Sequence, residues 1–476
     1  MPSYQPQQSG LPRFQLVLSS FLQHDGLPFA EVLPEEHIQQ AFEEAEATFA
    51  HDEDAVYTPS VTLWAFLSQV LFKGEMRSCL AAVARVVVLC VALGRKPCSD
   101  NTGAYCRARA KLPVPVIQRL ALELADECED KLPPDWLWKD LHMHLIDGST
   151  LTMPDTEENQ AEYPQMKSQE PGLGFPIARV VVLFSLATAM LQGMAMGPYT
   201  GKETSEIALL RQLFGRLRPG SVVLADRYYC SYFMVALLKE LDVHVVMRQH
   251  QLRNTDFRRG RRLGSGDHIV TWIRPQRPDW MDQETYERMP ETLTVREVHV
   301  QVHQPGFRVE SMVVVTTLTD AETYTKDDIG ELYHQRWLVE LDIRALKVTL
   351  SIDVLRCQTP EMVRREIWVA LLAYNLIRRA MLQAALASDS GRSPRQLSFT
   401  AAMQKIAASW CMLAVCADSV LIILIDVHLQ HIGVNEIGDR PNRVEPRAVK
   451  RRPKCLKLLT KPREQARAEL LAGAEQ

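Results

Sequence analysis

A chain of 476 residues, 46% hydrophobic and 24% charged, is too long for one small core and has the balance of a soluble globular protein of roughly two to four domains. A net charge of −4 excludes a protein that is basic overall, though not local basic surfaces. Ten cysteines without a C-x-x-C pair exclude a zinc ribbon or a redox motif; with no signal peptide to read, they imply reduced thiols and a cytoplasmic location.

The first hundred-odd residues show no strand alternation. After an acidic stretch from Glu43 to Asp54 come helix candidates: "TLWAFLSQVLF", "RSCLAAVARVVVLCVAL", "SDNTGAYCRARAKL" and "VPVIQRLALELADECEDKL". The third opens on the N-cap candidates Ser99, Asp100, Asn101 and Thr102, then carries Arg107, Arg109 and Lys111. A basic helix among apolar ones suits a DNA-binding module; a plain bundle with a solvated basic face is equally open. Neither long apolar run spans a membrane: "LAAVARVVVLCVALG" holds Arg85, and "MLAVCADSVLIILIDV" holds Asp418 and Asp426. Both read as buried core elements.

From Lys139 the texture changes. "LHMHLIDGST" reads as a strand ending at Asp147, followed by a turn, and "ARVVVLFSLA" with "AMLQGMAMGPY" as a hairpin. "TSEIALLRQLFGRL" is helical, with Ser205 and Glu206 near its start. "GSVVLADRYY" is a buried strand ending at Asp226, "SYFMVALLKEL" a helix and "VHVVMRQ" a strand. Three strands, helix, strand, helix, strand is the α/β order of a ribonuclease H-like core, a mixed five-stranded sheet with helices. Fold order alone implies no chemistry.

An arginine- and glycine-rich stretch from Arg253 then leads into alternating strands, a β-rich insertion at about 251–325. The expected domains are an N-terminal all-α domain over 1–135, read as DNA-binding, a catalytic domain over 136–385, and a C-terminal helical region with a basic tail over 386–476. That tail holds 11 Lys/Arg between Arg440 and Arg467 against Glu445 and Glu464, and prolines interrupt it. It reads either as an electrostatic footprint for phosphate or as a solvated tail.

"YHQRWLVELDIRALK" follows the insertion. On an α-helix Tyr333, Arg336, Glu340, Arg344 and Lys347 share an arc of about 80°. Apolar residues flank this stripe on both sides, so the helix is expected to be buried nearly all round, with one charged seam and Trp337 beside it, in the core or else as a DNA contact. Asp147 and Asp226 end strands that lie side by side in a ribonuclease H-like sheet, and Glu340 can close the group. Three converging carboxylates repel one another and resist ionisation. Two Mg²⁺ or Mn²⁺ ions would remove the conflict and stabilise the attacking and leaving oxygens of a phosphodiester. Each aspartate alone reads equally as a turn or cap residue.

Tyr333, Arg336, Glu340 and Lys347, spaced Y-x2-R-x3-E-x6-K, match a motif of the insertion sequence 4 family of bacterial DDE transposases, which the chain resembles over roughly Asn101 to Arg379. "LIDGST", "VLADRYY" and the insertion before the glutamate resemble that family too. The resemblance implies that Asp147, Asp226 and Glu340 are catalytic and hold the metal ions, while Tyr333, Arg336 and Lys347 grip DNA phosphates. It implies metal-dependent strand cleavage and strand transfer at terminal inverted repeats (cut-and-paste). Double-stranded DNA, as transposon ends and target, and a homodimeric synaptic complex are the implied partners, in the bacterial cytoplasm and nucleoid. Trp272 or Trp280 is the candidate to stack a flipped base. A non-catalytic DNA-binding regulator of transposition, and a ribonuclease H-like nuclease without strand transfer, are the competing readings.

Overall fold

The structure, a computed structural model, describes residues 13–45, 49, 55–201, 203–301, 311–388, 391–438 and 459–474. They fall into two units. One comprises the described parts of Met1–Leu137, Ala187–Gln192 and Asp342–Ile437; the other those of Trp138–Leu186, Gly193–Leu341 and Gly438–Gln476.

The second unit is built on a nine-stranded sheet. Its strands are β1 (Met143–Thr152), β2 (Ile177–Ser185), β3 (Leu191–Pro198), β4 (Val222–Ala225), β5 (His244–Arg248), β6 (Arg261–Gly264), β7 (Asp267–Ile273), β8 (Thr292–Gln301) and β9 (Ser311–Thr316), in the spatial order β3-β2-β1-β4-β5-β9-β8-β7-β6. β1, β4 and β5 are parallel neighbours, and β2 runs antiparallel to β1. The strands and helices of the expected core thus appear in the expected order. Its sheet does not stop at five strands, however. β9 pairs antiparallel with β5, setting Met247 opposite Val315, so the insertion prolongs the same sheet.

One apolar core accordingly runs from Ile146, Val223 and Val245 through the helices Glu206–Gln212 and Tyr232–Glu240 to Trp272, Leu293, Val295 and Val315. Each fully buried side chain of this size stabilises by roughly 1.5–3 kcal/mol. Simple alternation in β8 fails because Arg296 and Glu297 are buried next to each other. Arg296 donates to both carboxylate oxygens of Asp267 (2.8 and 2.6 Å), and Trp272 donates to Glu297 (3.0 Å). Pairing lets charged groups occupy core positions that sequence patterning assigns to water.

β1 departs from expectation at Asp147. It continues to Thr152, because Gly148 through Thr152 pair antiparallel with β2 after β4 has ended. The stripe helix departs more. α-Helix Lys326–His334 passes through a 3-10 turn, Gln335–Trp337, into α-helix Leu338–Arg344 and a π turn, Ala345–Thr349. No single helical stripe survives these changes of pitch. Nor is the segment buried all round: Trp337 is 48% exposed and Val348 57% exposed.

The first unit is helical. Its centre is the 27-residue helix Pro360–Leu386, one element where one or two were expected. Helices Pro59–Leu71, Cys79–Ala92, Thr102–Arg109, Val114–Asp130, Phe399–Leu413 and Asp418–Gly433 complete the unit's main helical framework. The two long apolar runs are core on one face only, since Leu80, Val88 and Val91, and likewise Ile422 and Ile423, are exposed. Among the described residues no helix is long and apolar enough to cross a membrane. The basic tail from Arg440 to Lys457 and most of the acidic stretch before Asp54 lie outside the described residues.

Polar side chains of the central helix tie this unit together. Asn375 accepts from the N–H of Leu191 and donates to its carbonyl (both 2.9 Å), and also to that of Ala121 (2.7 Å). Asp342, 1% exposed, accepts from Arg378 (2.9 Å) and Arg395 (3.0 Å). Removing the carboxylate would leave two guanidinium groups without their charge partner. Asp342→Ala is expected to lower the urea-unfolding free energy by roughly 3–5 kcal/mol; a loss under about 1 kcal/mol would show the network to be dispensable.

Candidate active site

Leu145 of β1 stands opposite Leu224 of β4. Asp147 and Asp226 each lie two residues further on, so the parallel register carries both carboxylates to the same end of the sheet. Ala225 ends β4, and Asp226 turns the chain: its carboxylate accepts from the backbone N–H of Tyr228 at 2.6 Å. Asp147 accepts from the N–H of Gly148 at 2.8 Å. Burial, with the charges of Asp226 and Glu206 in support, raises the Asp147 carboxyl to about 6 despite that bond and the nearby Arg336.

Arg336 connects this end of the sheet to Glu340. Its Nη2 donates to Glu340 Oε1 at 3.0 Å, and its Nη1 lies 3.8 Å from Asp147 Oδ2. Tyr333 is buried, and burial pushes its phenol up to about 12, with Arg336 and Asp226 among the charges it feels. The structure therefore gathers Asp147, Asp226, Tyr333, Arg336 and Glu340 in one unit. Lys347 falls in the π turn, which belongs to the helical unit.

Residues 143–376 match the family described as transposase DDE domain. Over 308 residues the chain is 30% identical to the transposase InsG for insertion sequence element IS4 of Escherichia coli (strain K12), covering 62% of this chain and 64% of that relative. It thus spans less than two thirds of the relative's length. A solved piggyBac transposase synaptic complex with hairpin DNA aligns over 91% of this chain and 87% of that one, at 10% identity and a TM-score of 0.44, too loose a match to argue from. Both the family match and the InsG match agree with the family resemblance that the sequence suggests.

This end of the sheet carries a further carboxylate that sequence reading does not single out as a site residue. Glu206 opens the helix capped by Ser205, whose side chain accepts from the N–H of Ala208. The phenol of Tyr229 donates to Glu206 Oε2 at 3.2 Å. A Cβ at position 148 would meet that carboxylate at 2.3–2.5 Å, so Glu206 occupies the space a side chain would take. The visible signal is an acidic first turn, which ordinary dipole capping explains equally well. Trp272 and Trp280 offer little to a base: Trp272 is buried, with Arg253 over its ring at 3.7 Å, and Trp280 packs against Phe233 under Arg211.

Gly148→Ala is expected to destabilise the sheet-bearing unit by roughly 1–3 kcal/mol through overpacking against Glu206. The double variant Gly148→Ala/Glu206→Ala should recover most of that loss. Thermal unfolding of the four proteins of this cycle measures the coupling, and simple additivity would refute the contact.

Proposed function

We propose that the chain is a DNA transposase of an insertion sequence, which binds the element's terminal inverted repeats and catalyses metal-dependent strand cleavage and strand transfer. The observation that carries this reading is the register that sets Asp147 and Asp226 side by side, with Glu340 joined to Asp147 through Arg336. DDE domains of this family generally use divalent metal ions.

The residues present fit such an ion. All donors are hard carboxylate oxygens, one of them resists ionisation in a partly buried place, and a guanidinium already stands between two of them. Among the described residues no three acidic, histidine or cysteine side chains are close enough to hold an ion as they stand, and Glu340 joins the aspartates only on leaving Arg336. Asp147, Asp226 and Glu340 are the proposed ligands, of one or two Mg²⁺ or Mn²⁺ ions. When bound, such ions lower the pKa of water and stabilise charge on phosphodiester oxygens.

The chain's own residues orient the DNA. Arg336 is part-buried and fixed by two carboxylates, so once Glu340 departs its fork is directed at a phosphate. Tyr333 stays protonated at neutral pH and offers a donor. Lys347 is proposed as a further phosphate contact. Arg258, Arg259, Arg261 and Arg262 are exposed on the insertion and add a basic surface. A homodimer in a synaptic complex, acting on DNA in the cytoplasm or nucleoid, completes the proposal.

Asp147→Ala, Asp226→Ala and Glu340→Ala should each abolish Mg²⁺-dependent cleavage of end-containing DNA while leaving end binding within a few-fold of wild type. Full activity in any one would overturn its assignment as ligand. Joining of the cut end to a second DNA separates transposition from plain nuclease action.

DNA affinity should fall steeply as salt rises from low to physiological strength, despite the net charge of −4. Replacing Arg258, Arg259, Arg261 and Arg262 together with Ala should flatten the log–log slope by about 0.9 for each phosphate that is no longer neutralised. An unchanged slope would show that this surface does not meet DNA.

A further inference from the structure

The helical unit contains a cleft of about 480 Å³ made from none of the residues of the acidic site, and three arginines, Arg77, Arg109 and Arg356, line it. Two helices begin at its wall. Ser78 caps Cys79–Ala92 by accepting from the N–H of Ala81 (3.1 Å), and Thr359 caps Pro360–Leu386 by accepting from that of Met362 (3.3 Å). Helix starts carry partial positive charge and N–H groups that favour anions.

Arg109 is the decisive residue. The sequence places it in the basic helix with Arg107, but the fold turns it away from water, against the rings of Phe66 (5.4 Å) and Tyr105 (5.7 Å). Its Nη1 donates to Gln69 Oε1 at 3.3 Å, an oxygen that already accepts from Tyr105 at 2.6 Å. Its Nε is buried with no partner. The thiols and phenol around it carry no counter-charge at neutral pH, since burial pushes Tyr105, Cys106 and Cys357 above their ordinary ranges. The carboxylate lining the cleft, Glu366, is engaged elsewhere: it accepts from the N–H groups of Arg356 (2.9 Å) and Cys357 (3.0 Å) and faces Arg77 at 3.8 Å. A partly buried guanidinium on a cleft whose lining carboxylate is engaged elsewhere lacks a partner of negative charge.

We propose that this cleft binds a phosphate group, held by Arg109 at its floor, Arg356 at its rim and the starts of the two helices. A planar guanidinium fork and converging N–H groups suit a phosphate oxygen cluster. The phosphate is either a backbone group of DNA or free in solution. Only the DNA source rests on the transposase reading.

Calorimetric titration of the full chain with inorganic phosphate, against chloride at matched ionic strength, tests the site. Saturable binding is expected. Arg109→Met, which keeps an apolar stem, and Arg356→Ala should each weaken it, the former by about tenfold or more. Asp147→Ala should bind phosphate as wild type does, so failure of the cleavage chemistry leaves this test intact. No binding by wild type, or wild-type binding by both variants, overturns the proposal. If Arg109→Met does not fold, as circular dichroism will tell, the exposed Arg356 decides alone. A short duplex distinguishes the sources. If DNA fills the cleft, phosphate competes with the duplex, and Arg356→Ala reduces the salt slope of binding by about one. If the ligand is free phosphate, duplex affinity is unchanged while phosphate binding is lost.

Discussion

Everything at the end of the sheet follows from the difficulty of keeping carboxylates together out of water. Parallel pairing of β1 with β4 leaves Asp147 and Asp226 no choice but to be neighbours. Glu206 adds its charge from above Gly148. Without a compensating cation, burial and repulsion drive one member toward its neutral form, and Asp147 is that member. Arg336 supplies part of the compensation, contacting Asp147 and Glu340 at once. The site is therefore neutralised only in part, by its own arginine.

The sheet makes that arrangement stiff. Because β9 joins β5 directly, the insertion shares the core of the strands that bear the aspartates. Its buried pairs, Arg296 with Asp267 and Trp272 with Glu297, are geometrically specific and hold strand register where apolar packing alone would tolerate a slip. The segment bearing Tyr333, Arg336 and Glu340 leaves this sheet through a capping box at Thr325 and Asp328, which fixes where the helix starts.

The order of core elements can be read from the chain because buried parallel strands are short apolar runs, and "SVVLA" before Asp226 is such a run. Asp147 sits where the sequence puts it, but its strand runs on past the expected end. "DGST" has the composition of a turn, and only the continued pairing with β2 makes it strand. The charged stripe singles out Tyr333, Arg336 and Glu340, which lie in the same unit as Asp147, but its geometric reason does not survive: the backbone changes from α to 3-10 to α to π across it. Trp337 reads as core because it lies on the apolar flank of the helical stripe, yet it faces solvent. Glu206 is illegible in principle, since its role depends on the absent side chain of Gly148, far away in the chain. Arg109 reads as surface because a helix of eight residues has too little pattern to say which cation turns inward.

The ends of the sheet have a consequence for how the molecule meets its own copies. β3 is a terminal strand of the sheet, and an open edge of this kind invites another chain to add a strand to it. The amide of Asn375 offers Leu191 one acceptor and one donor, both at 2.9 Å, as an incoming peptide group would. Within the helical unit that side chain thus satisfies both backbone groups of Leu191. The opposite edge, β6, is only four residues long and carries Arg261 and Arg262 in water. A border so short and charged is poorly suited to adding another chain's strand.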